Sequence, residues 1–311
     1  MKDAVVMRAE QIAVEYLQER VTESYQILGK GSVNQVCVVK TGSRTVVVRM
    51  NDAGSYAGFV KEKWCIEQSA AVGIPGPEVL SIGIAENTAY MVQTFVAGDN
   101  GLDSAVPKSL IWRRLGEYAR RFQSIRVSGF GEELVDQVHG VFRSPPHPGS
   151  DGSWLGYVQY NINSLTEKDQ LIELGVLTLA ASRKVRALFE NLKRATFRFG
   201  LIHNDLSLKN TIVNEAGQVY LLDWENAEVS AAPHEDLIEL LKCQMLGGSP
   251  DQEEFKAFLD GYGLGEEDLA VTRHLMLLRA FDKLRWAIDR SPDQIEPFAA
   301  YAKQVVDMVL D

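Results

Sequence analysis

Residues 201–226, LIHNDLSLKNTIVNEAGQVYLLDWEN, constrain the fold more than any other stretch, because they join a β-hairpin to polar groups fixed at one of its ends. Apolar runs at 211–213 and 218–222 predict two strands, and Asn214-Glu215-Ala216-Gly217 supplies the turn. Antiparallel pairing then brings Asn210, just before the first strand, beside Asp223, just after the second. Asp205 precedes Asn210 by five residues on the loop entering the hairpin, where its carboxylate can face the same small volume. A carboxylate and an amide oxygen are hard ligands suited to Mg²⁺, and a second carboxylate can orient a hydroxyl nucleophile.

Upstream, an amphipathic pattern over 4–20 predicts a helix, after which the chain turns to short β-rich runs at 25–28, 35–40 and 44–50. Thr41-Gly42-Ser43 is short enough to make a hairpin of the second and third runs. A helix over 56–72 is ended by Gly73 and the Pro75-Gly76-Pro77 punctuation, and strands at 78–84 and 88–96 follow. Residues 97–101, Ala-Gly-Asp-Asn-Gly, read as a flexible boundary, giving a first domain over 1–97 and a second over 98–311. The second carries helical patterns at 108–125, 165–199, 235–246, 252–260 and 266–308, interrupted by the hairpin and by an irregular loop over 139–153.

His203-x-Asp205-x-x-x-x-Asn210, followed by an apolar strand ending in Asp223, resembles the catalytic loop and metal aspartate of the aminoglycoside phosphotransferase and choline kinase superfamily. The HND and DWE spellings look more like the choline kinase branch. The resemblance implies an α+β, two-lobed, protein-kinase-like fold, with a small antiparallel sheet in the N-lobe and a larger, mainly helical C-lobe. It implies ATP and Mg²⁺ as cofactors and transfer of the γ-phosphoryl group to a hydroxyl of a small, cationic acceptor, an aminoglycoside or an amino-alcohol such as choline or ethanolamine.

By the same resemblance Asp205 is the catalytic base or the residue that orients the acceptor hydroxyl, and Asn210 and Asp223 hold the metal. The turn Gly29-Lys30-Gly31-Ser32-Val33-Asn34 covers the nucleotide phosphates through backbone N–H groups at Gly31 and the Ser32 hydroxyl, with Asn34 where protein kinases keep a third glycine. Arg49 stands where these folds place a phosphate-gripping lysine, with Glu62 as its helix partner and Glu67 in reserve. Thr94 and Val96 meet the adenine through main-chain atoms. Asp236 matches an aspartate expected to cap its helix and support the catalytic loop. Only nine residues separate Asp223 from Pro233, which leaves no room for the activation segment that binds peptides in protein kinases. Arg49 and the lost glycine motivate one alternative, a nucleotide-binding pseudokinase that acts as an interaction module.

Among 311 residues, Lys plus Arg number 32 and Asp plus Glu 42, a net charge of −10 that disfavours nucleic acid and suits a cationic partner. The acids Glu225, Asp260, Glu266, Glu267, Asp268, Asp282 and Asp289 are candidates to meet amino groups, and Trp154, Tyr157, Tyr160 and Trp286 to stack on a cation. The three cysteines form no CxxC pair and His139, His147, His234 and His274 lack ligand spacing, so neither a disulfide framework nor a zinc site is expected. No signal peptide or membrane span is legible, and a cytoplasmic location without a membrane partner is the expectation; oligomeric state is not legible.

Overall fold

A computed structural model describes residues 3–28, 34–145 and 149–310. The chain forms two compact units, Met1–Arg114 with Ser207–Ala227, and Leu115–Leu206 with Glu228–Asp311. This division differs from the contiguous 1–97 and 98–311, because residues 98–114 and the 207–227 hairpin segment group with the N-terminal sheet.

The first unit opens with α1 (Ala4–Leu17), whose N-cap Asp3 accepts a hydrogen bond from the Val5 N–H and whose C-cap Gln18 is left-handed. Five strands follow, β1 (Val21–Ile27), β2 (Gln35–Thr41), β3 (Thr45–Asp52), β4 (Val79–Ala85) and β5 (Thr88–Thr94), with α2 (Tyr56–Ala71) between β3 and β4. They make one antiparallel sheet in the order β1-β2-β3-β5-β4. Side chains alternate across a strand, so Cys37, Val39, Val46, Val48, Met50 and Val92 share one face. There they pack on Val6, Ala9, Ile12 and Ala13, the helical-period stripe of α1. Val36, Val47, Arg49 and Gln93 have the opposite parity; Val36 is paired with Arg49 and Val47 with Gln93 in the strand registers.

The expected flexible boundary is instead ordered. Asp99–Asn100 forms a short strand, β6, that pairs with Thr211–Val213, itself paired with Val219–Leu221. Gly98 makes this approach possible, since its φ is +148° and a Cβ there would lie 2.4 Å from the Val213 carbonyl oxygen.

The second unit is mainly helical. Val158, Ile162, Val185, Phe189, Leu277 and Phe281 belong to its core, which joins the helices Trp154–Ser164, Leu179–Arg194, Glu266–Arg290 and Ile295–Leu310. The helical pattern expected over 165–199 is broken into Gln170–Glu173 and Leu179–Arg194, and Phe199–Ile202 is a strand paired with Glu228–Ala231. The pattern over 266–308 is likewise two helices, interrupted near Pro292, which lacks the N–H needed to continue a helix. Part of the expected irregular loop is ordered too, with Val141–Arg143 sitting between Ser128–Phe130 and Glu133–Asp136 in a small sheet. The architecture is the expected α+β one, an antiparallel N-terminal sheet and a helical C-terminal part. No helix among the described residues is long and apolar enough to cross a membrane.

Candidate active site

The face of the sheet that α1 leaves uncovered opens onto a cavity of about 370 Å³ within the first unit. Val36, Val47, Arg49 and Gln93 line one side of it, Thr94, Val96 and Gly98 follow from the end of β5, and Asn210, Leu222 and Asp223 come from the hairpin segment. The same alternation that buries Val46 and Val48 against α1 therefore puts a charged side chain, Arg49, into the cavity wall.

Arg49 is only 7% exposed and is held by carboxylates on several sides. Its Nη1 donates to Glu62 Oε1, and its Nη2 donates to Asp223 Oδ1 at 2.9 Å and lies 3.6 Å from Glu225 Oε2. Glu62, 1% exposed, also accepts the Trp224 N–H at 3.2 Å, so one carboxylate ties α2 to the chain just beyond Asp223. Burial works against the guanidinium charge, but Glu62, Asp223 and Glu225 outweigh it and hold Arg49 protonated above its ordinary range. Glu67, the reserve partner, is exposed and pairs with Lys63 instead. A fixed fork suits this arrangement, because two nitrogens reach two carboxylates at once. Arg49→Met would leave buried Glu62 without its cation and is expected to cost about 3–5 kcal/mol. Arg49→Lys, which keeps the charge, should cost less. Chemical denaturation of both variants checks this, and an unchanged midpoint for Arg49→Met would contradict it.

Glu225, expected among the acids that meet acceptor amino groups, belongs instead to this cluster. It accepts a hydrogen bond from Asn34 Nδ2 at 2.8 Å, and Asn34 Oδ1 accepts from Asn51 Nδ2 at 3.2 Å. Burial and the neighbouring Asp223 carboxylate push its carboxyl up. The sequence signal is present in the Asp223-Trp224-Glu225 spelling, where the second acid returns to the side of the first with Trp224, 1% exposed, turned into the core between them.

Asn210 is buried, and its carbonyl accepts the Leu222 N–H at 2.9 Å, which fastens the start of the hairpin to its end. Asn210 and Asp223 thus line one cavity, as antiparallel pairing requires. Asp223 has φ +63°, a left-handed conformation that costs a residue with a Cβ free energy and is found mainly where the surroundings enforce it. Thr94 and Val96 line the same cavity; the Thr94 N–H donates to Glu78 O at 2.9 Å, and its hydroxyl accepts the Glu78 N–H at 2.9 Å. Gly31 and Ser32 lie outside the described residues.

Asp205 belongs to the second unit and is half-buried, on the loop that follows the strand Phe199–Ile202. Beside it His203 is fully buried and Asn204 is left-handed at φ +60°. The loop is anchored by Asp236, whose Oδ1 accepts the Asn204 N–H at 3.0 Å. Asp236 is not the cap of its helix as expected. Pro233 holds the N-cap position of His234–Met245, and Asp236 lies inside the first turn with its carboxylate turned to the loop. Burial pushes Asp236 up to about 7 from 3.8, against the pull of the Asn204 and His203 N–H groups. A raised carboxyl stabilises the fold while both states are protonated, and that contribution is lost as pH climbs to about 7. Relative to the wild type, Asp236→Asn should therefore gain stability between pH of about 4 and about 7 and gain no more above. Denaturation at the two ends of that window checks this, and a constant difference would contradict it.

A second cavity, about 530 Å³, lies within the helical unit and is lined in part by Glu132, Tyr157, Tyr160, Asp282, Trp286 and Asp289. Its arginines are engaged: Arg279 donates to Glu235 at 2.9 Å and to Glu228, and Arg285 to Asp169 at 2.7 Å. Trp286 is 47% exposed, whereas Trp154, another expected stacking residue, is buried among Phe130, Tyr157, Phe197 and Phe199. The Tyr157 hydroxyl is buried and has no hydrogen-bond partner among the described residues.

The solved structure of aminoglycoside phosphotransferase APH(4)-Ia is similar with a TM-score of 0.69 and 17% identity, over 97% of this chain and 98% of that one. A putative fructosamine-3-kinase from Haemophilus somnus 129PT gives 0.63 and 13%, over 98% of each chain. Spectinomycin phosphotransferase APH(9)-Ia, solved with ADP and spectinomycin, gives 0.58 and 14%, over 98% of this chain and 97% of that one. At such identities the likeness is one of fold. No curated protein matches the chain by sequence search. The model of the phosphotransferase enzyme family matches residues 24–275, a span that holds Arg49, Glu62, Asp205, Asn210 and Asp223, and the chain belongs to that family.

Proposed function

We propose that the protein transfers the γ-phosphoryl group of ATP, with Mg²⁺, to a hydroxyl of a small cationic molecule. The observation that carries the reading is the Arg49–Glu62–Asp223 network on the wall of a cavity that Asn210 also lines. An ion pair between a strand cation and a helix carboxylate is what a phosphate-gripping group needs for a fixed orientation, so arginine serves here in place of lysine. The pseudokinase alternative rests on Arg49 and the lost glycine, and the intact network weakens the first of these grounds.

Asn210 and Asp223 offer one amide oxygen and one carboxylate, a partial and hard donor set. That suits a cation which keeps several waters and shares phosphate oxygens. Bound there, Mg²⁺ would neutralise charge on the β- and γ-phosphates. Arg49 binds phosphate oxygens from the opposite strand wall, and Thr94 and Val96 present main-chain groups to the base. Asp205 accepts the proton of the acceptor hydroxyl as its oxygen bonds to the γ-phosphorus; the bond from phosphorus to the β–γ bridging oxygen breaks and ADP leaves.

The cationic character of the acceptor is supported by the cavity of the helical unit. Glu132, Glu228, Asp282 and Asp289 line it together with Arg279, Arg285 and Arg290, of which Arg279 is paired with Glu228 and Glu235 and Arg285 with Asp169, and the lining includes Tyr160 and Trp286. Four acids against three arginines, two of those arginines already paired with carboxylates, together with aromatic faces favour an amine or a quaternary ammonium. A volume of about 530 Å³ accommodates an amino-alcohol and an aminoglycoside alike, within the ~300–1,000 Å³ usual for ligand sites. ADP release with a panel of aminoglycosides, choline, ethanolamine and neutral sugars tests the class. Stimulation by cationic acceptors, with a KM raised by about tenfold in Trp286→Ala, is expected. Stimulation by neutral sugars alone would refute the cationic assignment.

A further inference from the structure

Glu225 lines the cavity of the sheet unit with its side chain 29% exposed, and no step of the proposed reaction uses it. Its carboxylate is held in place from two directions. Asn34 Nδ2 donates to Oε2 at 2.8 Å, and Asn34 Oδ1 accepts from Asn51 Nδ2 of β3, which keeps the carboxylate 3.6 Å from Arg49 Nη2. That same nitrogen donates to Asp223 Oδ1 at 2.9 Å, and Nη1 donates to Glu62. Both terminal nitrogens of Arg49 therefore face carboxylates. Lys209 is the other cation among the described lining residues, so two cations stand against Asp223, Glu225 and the buried Glu62.

Two of the three acids have a part in the proposed reaction, since Glu62 orients Arg49 and Asp223 offers an oxygen to the metal. Glu225 is surplus to both roles. A carboxylate beside a phosphate site repels every nucleotide that enters, through its field and without needing contact. The repulsion is unequal, because it grows with the charge brought in and a bound Mg²⁺ cancels part of the charge of a triphosphate. We propose that Glu225 is a specificity-determining residue that rejects metal-free nucleotide, so that the site fills with the Mg²⁺ complex, the form that reacts. This rests on the reading of the cavity as the nucleotide site.

The test is equilibrium binding of ATP to the full-length protein, once with Mg²⁺ and once in chelator. The wild type should bind the Mg²⁺ complex roughly tenfold or more tightly than free ATP. Glu225→Gln keeps an oxygen that accepts from Asn34 and loses the charge. It should raise the affinity for free ATP by about tenfold and that for the Mg²⁺ complex by less than about threefold, and the gain should shrink as ionic strength rises. Glu225→Asp, which keeps the charge, should keep the wild-type ratio of the two affinities. An unchanged affinity for free ATP in a folded Glu225→Gln protein would overturn the proposal. So would a loss confined to the Mg²⁺ complex, which would make Glu225 a metal ligand, or a wild type that binds both forms equally, a result that needs no variant to fold. Failure of the wild type to bind ATP in either condition would instead remove the nucleotide-site reading, and the inference with it.

Discussion

Asp205→Asn is expected to lower kcat by about 10²-fold or more while leaving nucleotide affinity unchanged. The amide keeps the shape of the carboxylate and loses its capacity to take a proton. The effect should therefore fall on the step in which the acceptor hydroxyl becomes a nucleophile. The cavity proposed for the nucleotide is lined by residues of the sheet and hairpin and does not include Asp205, so ATP binding is expected to survive. His203 is fully buried and takes no part in the proposed proton transfer. Steady-state rates with titration of nucleotide binding separate the two effects. A variant with full turnover would show that Asp205 is not the base.

Asp223→Ala is expected to act on the other half of the reaction. It removes the carboxylate of the proposed metal pair and one of the two acceptors that fix Arg49. Metal-assisted neutralisation of phosphoryl charge is worth several kcal/mol, so turnover should fall on the order of 10²-fold or more. The Mg²⁺-dependent gain in ATP affinity should vanish as well. In chelator the affinity should hold or rise slightly, because a carboxylate facing bare phosphates repels them. Calorimetric titration of ATP with and without Mg²⁺ checks both statements. An intact Mg²⁺ dependence in the variant would assign the metal elsewhere.

Much of this arrangement was legible from local pattern. Strand alternation gave the five sheet strands to within a few residues, and the hairpin spacing set Asn210 and Asp223 on one cavity wall. The pairing of Arg49 with Glu62 across 13 residues is legible only through the family resemblance, which sets a strand cation opposite a carboxylate of the following helix. What escaped depended on approach between distant segments. Residues 98–101 have the composition of a loose linker, yet Gly98 and Gly101 are small for the reason that the hairpin backbone comes close. A Cβ at Gly101 would lie 2.1 Å from Thr211 Oγ1. The helical pattern read over 165–199 runs on to Phe199, where a strand, Phe199–Ile202, begins instead through pairing with Glu228–Ala231, which no local signal announces. For Asp236 the family resemblance implies both a helix cap and support of the catalytic loop; the second holds, across 32 residues to the Asn204 N–H, and the first does not, because Pro233 takes the cap position. Trp154 carried the composition of a stacking residue, and only the aromatic cluster around it shows it to be core.

The central claim is transfer of a phosphoryl group to an organic hydroxyl, and ³¹P NMR of the purified protein with Mg²⁺, ATP and the cationic acceptor panel tests it most directly. A phosphomonoester signal that grows in step with ADP for one acceptor class, and is lost in Asp205→Asn, is the predicted result. ATP consumed to ADP and inorganic phosphate alone, or a phosphomonoester formed equally well by Asp205→Asn, would contradict it.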